Sequence, residues 1–479
     1  MRNQIGHDID LALLNRMGLE YHAESGKKDT STLQQRLAHN GKLVESLEDA
    51  IRATGLKDGM TVSFHHHFRD GDAVLELVVS TLSRMGYRDI TVASSSLSNA
   101  HAPLVGYIKD GTVTRLQSSG CRGKLADAIS KCEIELAEPM IFRSHGGRAA
   151  AIANGTLHID VAFLGVASCD ALGNASGTNA AGDDMCGSLG YAMVDARYAD
   201  KVVLLTERLA PYPNLPCSIP ATDVDYIVKV DSIGDSSQIS TGATRYTKNP
   251  RDLLIAESAA KAIISSGFFG AGFSLQTGSG GAALAVTRFL EGEMAEKGIT
   301  AEFALGGITS QIVKMHEAGL VKTILDVQGF DGEAARSIRD NAGHAEIDGN
   351  QYANPFNEGS AIHQLDVVIL SALEIDVDFN VNVLTGSDGV IRGAIGGHPD
   401  TAACAALTVI VTPLIRGRIP CVVDHVGCLV TEGSVCDILV TDTGIAVNPN
   451  RPEVEERLRR AGLKIKSIGQ LRDEAYAVV

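Results

Sequence analysis

Ile159–Asn174 reads I-D-V-A-F-L-G-V-A-S-C-D-A-L-G-N, and Leu365–Asn380 reads L-D-V-V-I-L-S-A-L-E-I-D-V-D-F-N. Aligned without a gap, the two stretches share three polar positions: Asp160 with Asp366, Asp170 with Asp376, and Asn174 with Asn380. Each stretch begins with a near-continuous apolar run, which is typical of a parallel strand covered on both faces. Three matched polar residues at fixed spacing indicate an internal duplication.

The elements before these two stretches repeat in the same order. A short strand at Thr61–Phe64 precedes a Gly/Asp turn and a helix over Ala73–Met85. A short strand at Gly272–Gln276 precedes a glycine turn and a helix over Ala282–Glu296. Alternating apolar strands and helices predict an α/β fold. We therefore expect two tandem, internally duplicated α/β domains with mainly parallel sheets.

The predicted organisation has four parts. Residues 1–40 form an N-terminal arm, residues 41–230 the first domain and residues 252–479 the second. Residues 231–251 between the domains are rich in Ser, Gly and Thr, which is typical of a linker. Because ligands of open α/β sheets bind at the carboxyl ends of strands, we expect the site in the cleft between the domains.

The composition excludes several classes of protein. The chain has 479 residues, with 42 Lys plus Arg and 58 Asp plus Glu, a formal net charge of −16. It therefore lacks the basic footprint of a nucleic-acid binder or of a protein on an anionic membrane. Its nine cysteines include no C-x-x-C pair, which favours free thiols in a reducing cytoplasm. An anionic substrate would need a local basic pocket in this acidic chain.

The strongest local signal is F-S-L-Q-T-G-S-G-G-A-A-L, which begins at Phe273. A strand leads into glycines and then a helix, so backbone N–H groups can surround an anion at the helix N-terminus. The spacing Gly278-x-Gly280-x-x-Ala283 also fits a relaxed dinucleotide fingerprint, with Glu302 near the expected acid but in mid-strand. A site for another anion, a nicotinamide site and a plain tight turn are therefore all open.

Basic residues follow the first strand of the first domain in His65-His66-His67-Phe68-Arg69. Three adjacent histidines cannot share one strand face, because side chains alternate, and this argues against a three-His metal site. A cationic or hydrogen-bonding lip for an anionic substrate and a structural cluster remain as interpretations.

A second basic turn, Arg143-Ser-His-Gly-Gly-Arg148, precedes a predicted helix. Arg presents a bidentate fork, so the turn is a plausible carboxylate clamp, with a solvated turn as the alternative. In the second domain, Glu374 and Asp376 lie at the end of a predicted strand. They are either catalytic carboxylates or part of a solvated strand edge. The glycine turn at 393–400 lies in the same domain as Gly278 and can face it.

These motifs together resemble the CoA-transferase superfamily over residues from about 60 to about 440. The resemblance rests on the strand ending Asp170–Asn174, the turn Gln276-x-Gly278-x-Gly280, the strand Ser371–Asp376 and the turn Gly396-Gly397-x-Pro-Asp400. Within the superfamily the chain is most similar to the family of citrate lyase α subunits, as the His65–Asp72 run also indicates.

The resemblance implies an enzyme of the citrate CoA-transferase class. Such an α subunit exchanges acetyl for citryl on the CoA-like thiol of an acyl-carrier protein and releases acetate. A β (lyase) subunit then cleaves the citryl thioester to oxaloacetate and acetyl thioester. Citrate and acetyl-CoA or acetyl-acyl-carrier protein are the implied substrates. The β and γ (acyl-carrier) subunits are the implied partners of a homo-oligomer within a complex. No tightly bound cofactor and no metal is expected.

The predicted site residues fall into three groups. The catalytic candidates are Gln276, Asn380 and Glu374. The candidates for contact with the CoA-like group are Gly278, Gly280, Gly281, Gly396 and Gly397. The basic residues predicted to bind substrate are His66, Arg69, Arg143 and Arg148.

Two departures from the superfamily pattern carry further expectations. Many members have a nucleophilic Glu that would fall at about position 306, where this chain has Gly306-Gly307. The resemblance therefore implies direct attack of citrate on the acyl thioester. The Gly common before the second-domain Asn is Phe379 here. A citramalate-lyase-type transferase, a nicotinamide-dependent oxidoreductase using the Gly278 turn and a non-catalytic scaffold subunit are the alternatives.

Overall fold

The computed structural model describes residues 2–3, 5–18, 41–65, 68–179, 185–240 and 247–479. The chain packs into two compact units. The N-terminal unit comprises His22–Thr241 and Asp326–Gln351, and the C-terminal unit comprises Met1–Tyr21, Gly242–Leu325 and Tyr352–Val479. The duplication alone did not predict that residues 326–351 belong with the first half. The domain boundaries drawn from the sequence stay a prediction.

The strands of the first half form one large sheet and a small ladder. They are β1 (Leu43–Val44), β2 (Thr61–Phe64), β3 (Ile90–Ser94), β4 (Val113–Ser118), β5 (Ile141–Phe142), β6 (Val161–Gly165), β7 (Ser168–Cys169), β8 (Ala175–Ser176), β9 (Lys201–Thr206) and β10 (Tyr226–Lys229). The sheet order is β1-β10-β9-β6-β2-β3-β4-β5, and every pairing is parallel. Strands β7 and β8 form the separate antiparallel ladder.

The strands of the second half repeat this plan. They are β11 (Ser274–Thr277), β12 (Ala301–Ile308), β13 (Val321–Gly329), β14 (His344–Glu346), β15 (Val367–Ser371), β16 (Glu374–Asp376), β17 (Val381–Asn382), β18 (Leu407–Val411), β19 (Ile415–Arg416), β20 (Ile419–Pro420), β21 (Val422–Val423), β22 (Ile438–Val440) and β23 (Ile445–Val447). The large sheet has the order β14-β13-β12-β11-β15-β18-β22-β23. Strands β16, β17 and β21 form a small sheet, and β19 pairs with β20.

The two large sheets match strand for strand. Taken from β5, the first sheet runs β5-β4-β3-β2-β6-β9-β10-β1, so β2 corresponds to β11 and β6 to β15. The predicted α/β class with two mainly parallel sheets is confirmed. The match ends at one edge, because β1 is parallel to β10 whereas β23 is antiparallel to β22.

The duplicated aspartates hold the same bonds in both halves. Asp160 Oδ2 accepts the N–H of Thr61 at 2.8 Å, and Asp366 Oδ2 accepts the N–H of Ser274 at 2.8 Å. Each carboxylate thus satisfies the first N–H of the neighbouring central strand. A second pair of bonds repeats this pattern farther along each sheet: Asp225 with Val202 at 2.9 Å and Asp437 with Thr408 at 2.7 Å. These charged hydrogen bonds fix strand register at the amino ends of the strands.

Helices cover the sheets and approach the carboxyl ends of the strands. They are α1 (Leu11–Arg16), α2 (Leu47–Thr54), α3 (Val74–Met85), α4 (Leu104–Lys109), α5 (Gly123–Ser130), α6 (His145–Asn154), α7 (Gly190–Tyr198), α8 (Pro250–Ser266), α9 (Gly281–Lys297), α10 (Ser310–Glu317), α11 (Gly332–Asp340), α12 (Gly349–Ala353), α13 (His398–Cys404), α14 (Pro452–Arg460) and α15 (Ile468–Val478). Strands β3, β6 and β18 are buried at every residue, as expected for strands covered on both faces. Within the described ranges, no helix has the length and apolar character needed to cross a bilayer.

Candidate active site

The predicted glycine turn connects β11 to α9 in the C-terminal unit. Gly280 is the N-cap of α9 and supplies no side-chain cap, so the first N–H groups of this 17-residue helix have no partner within the helix. A Cβ on Gly280 would lie 2.1 Å from Ser371 Oγ, which ends β15. The Gly278 N–H donates to Ile369 O at 2.7 Å. Glycine therefore lets this turn pack directly against the end of the neighbouring strand.

Gln276 ends β11 beside this turn and is 5% exposed. Its Nε2 donates to the Tyr352 hydroxyl at 2.9 Å, and its buried Oε1 has no hydrogen-bond partner in the described part of the chain. A Cβ on Gly397 would lie 2.6 Å from the same hydroxyl. The Tyr352 phenol therefore connects the Gln276 turn to the Gly396-Gly397 turn. These two turns, predicted to face each other, are brought together.

Tyr352 was not predicted from the sequence. It lies on no glycine motif, and no local pattern marks it as a contact of Gln276. Burial raises the pKa of Tyr352, and the charge of nearby Asp400 raises it further. The phenol therefore stays protonated at neutral pH and keeps both its donor and its acceptor function.

His398 follows the second glycine turn and closes the same region. Burial lowers the pKa of His398 to about 4, so the imidazole is neutral at pH 7. Its Nε2 lies 3.2 Å from the carbonyl oxygen of Ser371, and its Nδ1 lies 2.7 Å from Thr431 Oγ1. The carbonyl can only accept, so Nε2 carries the proton and Nδ1 accepts from Thr431. His398 thereby fixes the start of α13 to the end of β15.

Gly306, where the superfamily pattern would have its nucleophile, lies directly beside Gln276. The Gly306 φ angle is +100°, and a Cβ there would be 3.1 Å from Gln276 Cδ. A larger residue would need both a left-handed backbone and displacement of the glutamine. The chain therefore places Gln276, and no carboxylate, at this position.

Glu374 is buried and Asn380 is half-buried, and the side chain of each is hydrogen-bonded within the protein. Glu374 Oε2 accepts from Asn382 Nδ2 at 2.9 Å and from the Gly427 N–H at 3.4 Å. Asn380 Nδ2 donates to Asp376 at 3.2 Å, and its Oδ1 accepts the Gly433 N–H at 2.9 Å. The solvated-edge interpretation of this strand end does not fit, because Glu374 and Asp376 are 5% and 2% exposed.

The first half contains the same turn. Asn174 Nδ2 donates to Asp170 Oδ2 at 2.8 Å, and Asn174 Oδ1 accepts the Ala221 N–H at 3.1 Å. Asp376 and Asn380 therefore repeat a structural device of the duplicated fold. Catalytic roles for Asn380 and Glu374 stay predictions.

Basic residues gather at the carboxyl edge of the sheet in the N-terminal unit. Arg69 follows β2, Arg122 follows β4 and His145 begins α6 after β5. The Arg69 guanidinium lies 4.9 Å from the centre of the Phe330 ring. Arg122 was not predicted, because it stands alone in Gly120-Cys-Arg-Gly123 without a motif. His66 and His67 lie outside the described residues, while His65 Nδ1 is 3.3 Å from Ser95 Oγ.

The two arginines of the predicted clamp turn have partners in the protein. Arg148 is 4% exposed and forms a two-pronged ion pair with Asp195, at 2.7 and 2.9 Å. Arg143 is 9% exposed, and its Nε donates to Gln117 Oε1 at 3.2 Å. The solvated-turn alternative does not fit these burials, and the Asp195 pair leaves Arg148 little capacity for a substrate carboxylate.

His145 lies among these cations and is neutral. Burial and, to a smaller extent, the charges of Arg148, Arg69 and Arg122 together lower the pKa of His145 to about 3. Its Nδ1 shares a hydrogen bond with the Tyr191 hydroxyl, and the two rings meet edge to face with their centres 4.6 Å apart. His145 is thus a hydrogen-bonding group, and the guanidinium groups supply the positive charge.

Other candidate groups lie away from these residues. Among the described residues, the ligand atoms of His158, Asp160 and Asp200 lie within 4.8 Å of one another, a spacing that suits a metal ion. They precede β6 and β9, at the amino ends of the strands, and Asp160 already accepts the Thr61 N–H. Glu302, considered for a dinucleotide, pairs with Lys322 at 2.5 Å on an exposed part of β12. Nothing in this arrangement favours a nicotinamide site.

Comparisons with known proteins identify the family. The family model "Citrate lyase, alpha subunit (CitF)" matches residues 40–479. The chain is 58% identical over 444 residues to the citrate lyase alpha chain of Escherichia coli strain K12, which covers 93% of this chain and 86% of that one. It is 54% identical over 470 residues to that of Klebsiella pneumoniae, with 97% and 92% covered.

Solved structures agree with this result. A structure assigned as the alpha subunit of citrate lyase in complex with citrate, from Streptococcus mutans, has a TM-score of 0.90 at 52% identity and covers 100% of this chain and 94% of that one. A Pseudomonas malonate decarboxylase hetero-tetramer in complex with malonate has a TM-score of 0.69 at 16% identity, with 94% and 90% covered, and so shares the fold. From the matching residues and the two duplicated sheets, the chain belongs to the citrate lyase alpha subunit family.

Proposed function

We propose that this chain exchanges acetyl for citryl on the CoA-like thiol of an acyl-carrier protein, and that it also accepts CoA thioesters. The observation that carries this proposal is the open N-terminus of α9 beside Gln276, whose buried Oε1 lacks a partner in the described ranges. A helix N-terminus favours negative charge, and a buried, unpaired amide oxygen favours a polar ligand. Family membership supplies the substrate class.

The proposed exchange needs no redox step. A citrate carboxylate oxygen attacks the acetyl thioester carbonyl, and breakage of the C–S bond gives a citryl–acetyl anhydride and a thiolate. The thiolate attacks the citryl carbonyl, and breakage of the C–O bond releases acetate and leaves the citryl thioester. Each attack places negative charge on a carbonyl oxygen, which backbone N–H groups at a helix N-terminus stabilise. Gly278 and Gly280 let the turn pack against β15, so the N-terminus of α9 lies beside Gln276.

The proposal includes the partners of the family. The γ subunit would carry the thiol, and the β subunit would cleave the citryl thioester to oxaloacetate and acetyl thioester. The chain would act as a homo-oligomer within this cytoplasmic complex. It would use no tightly bound cofactor, because the reacting thiol arrives on the carrier.

A label-transfer assay tests the proposal. The purified chain is mixed with acetyl-CoA and ¹⁴C-citrate, and the thioester fraction is analysed for labelled citryl-CoA. We expect label transfer with stoichiometric release of acetate, and the same exchange on acetylated carrier protein. If neither thioester acquires label, the proposed function is wrong.

A further inference from the structure

Two cations in the N-terminal unit have no ion-pair partner in the described ranges. Neither the Arg69 nor the Arg122 guanidinium lies within ion-pair distance of a carboxylate there, whereas Arg148 is held by Asp195. Both side chains are only partly exposed. Unpaired, partly desolvated guanidinium groups are costly unless a ligand supplies the opposite charge.

The backbone fixes both arginines against the same short segment. The Arg122 N–H donates to Leu97 O at 3.1 Å, and the Arg69 carbonyl accepts from Ser98 Oγ at 3.2 Å. Arg69 also has a φ of +55°, a left-handed conformation that is unfavourable for a non-glycine residue. Both arginines therefore contact the Leu97–Ser98 segment that follows β3.

The charge of Arg122 also acts on Arg69. Burial and, to a smaller extent, the charge of Arg122 together lower the pKa of Arg69 to about 10. Burial also lowers the pKa of Arg122. The charge of Asp70 raises the pKa of both arginines. Both groups stay charged at pH 7, so an anion that bridges them relieves their repulsion.

We propose that Arg69 and Arg122 form a two-guanidinium clamp for the two non-reacting carboxylates of a tricarboxylate substrate. This inference rests on the proposed function, in which one of the three carboxylates of citrate reacts and two do not. Each guanidinium fork can take one carboxylate through two hydrogen bonds. Citramalate has a methyl group in place of one carboxylate arm, so it leaves one guanidinium unpaired. The clamp therefore selects citrate over citramalate.

Calorimetric titration with citrate, tricarballylate and citramalate tests the clamp independently of catalysis. The wild type should bind citrate and tricarballylate at least about 100-fold more tightly than citramalate, because a missing carboxylate leaves a desolvated cation unpaired. Arg69→Gln and Arg122→Gln should each weaken citrate binding at least about 30-fold. In one of these variants, citrate and citramalate should bind within about tenfold of each other, since the preference depends on the lost cation.

The exposed Arg88 provides the matched control, because Arg88→Gln changes the net charge equally. This control should bind citrate as the wild type does. Melting curves establish whether each variant is folded. Where a glutamine variant is not folded, lysine at the same position, Arg69→Lys or Arg122→Lys, replaces it, because lysine keeps the charge but loses the fork. Unchanged citrate binding in both folded variants, or a wild type that binds citramalate as well as citrate, overturns the clamp. Failure of label transfer by a wild type that binds citrate through these arginines rejects the proposed function alone.

Discussion

The variant Glu374→Gln tests whether the acyl group forms a covalent bond to the protein during exchange. The Glu374 carboxylate accepts hydrogen bonds from Asn382 and Gly427, and a glutamine retains an oxygen for both donors. We predict that Glu374→Gln keeps kcat within about tenfold of the wild type, because no covalent step is lost. Initial-rate measurements should give intersecting double-reciprocal plots. Borohydride inactivation after incubation with acetyl-CoA, with a mass change on any Glu, would contradict direct attack.

The variant Phe379→Gly tests whether backbone strain or side-chain packing contributes more to the free energy of unfolding at this position. The φ of Phe379 is +66°, where the duplicated turn has Gly173, yet its side chain is 1% exposed. Relief of a left-handed residue gains about 1–2 kcal/mol, whereas loss of a buried Phe costs about 3–5 kcal/mol. We predict that Phe379→Gly lowers the free energy of unfolding by about 2 kcal/mol. Urea denaturation measures this, and a more stable variant would show that strain dominates.

Single-residue roles at the basic edge were only partly predictable. The sequence places Arg69 after a strand and Arg148 in a basic turn before a helix, although the helix in fact begins at His145 and includes Arg148. It does not reveal that Asp195, distant along the chain, forms an ion pair with Arg148. Arg122 has no sequence motif, and its position beside Arg69 depends on the loops that connect parallel strands. Partner choice is a tertiary property, so these assignments required the structure.

At the scale of elements, the turn between β11 and α9 serves packing and, we propose, catalysis. A Cβ on Gly280 would meet Ser371 Oγ at 2.1 Å. Gly280→Ala should therefore lower stability, and Ser371→Gly in the same chain should restore the melting temperature. We predict that exchange stays at least about tenfold reduced in the folded double variant, because the added methyl group and the lost Ser371 side chain shift the N-terminus of α9 from the position that oxyanion stabilisation needs. Full recovery would make the turn structural only.

The start of α13 should make stability depend on pH. His398 is neutral in the fold, with its pKa lowered to about 4 by burial, and the unfolded chain binds a proton below about pH 6.5. The contribution of neutral His398 to the free energy of unfolding is therefore fully present above pH 6.5 and is lost as the pH falls toward 4. When the pH falls from 7 to 5, the free energy of unfolding should therefore decrease by about 2 kcal/mol less in His398→Gln than in the wild type. Urea denaturation at both values checks this, with the exposed His425→Gln as control.

The elements themselves were predicted more closely than their contacts. The predicted strand Thr61–Phe64 has the bounds found, and the predicted helix over Ala73–Met85 begins one residue later, at Val74. Apolar runs and glycine turns are local signals, so they indicate such elements directly. Tyr352 instead contacts Gln276 across a large separation in sequence. No local signal encodes that meeting.

For the whole molecule, duplication predicts paired responses to equivalent mutations. Asp160 and Asp366 each accept the first N–H of a central strand, at 2.8 Å. Asp160→Asn and Asp366→Asn should each cost about 1–3 kcal/mol, since each weakens a hydrogen bond to a charged group. Hydrogen exchange followed by mass spectrometry should show lost protection confined to the N-terminal unit for Asp160 and to the C-terminal unit for Asp366. Equal loss throughout both units would contradict this expectation.

The place of residues 326–351 in the N-terminal unit limits how the protein can be divided. The carbonyl oxygens of Val327 and Ile347 lie so close to Gly190 that a Cβ there would approach them to 2.6 and 2.4 Å. Glu346 accepts the Leu189 N–H at the start of α7 at 2.5 Å. A polypeptide truncated at residue 241 would lack this lining and leave α7 uncovered. Such a fragment should aggregate, and co-expression with the missing second half should return it to solution.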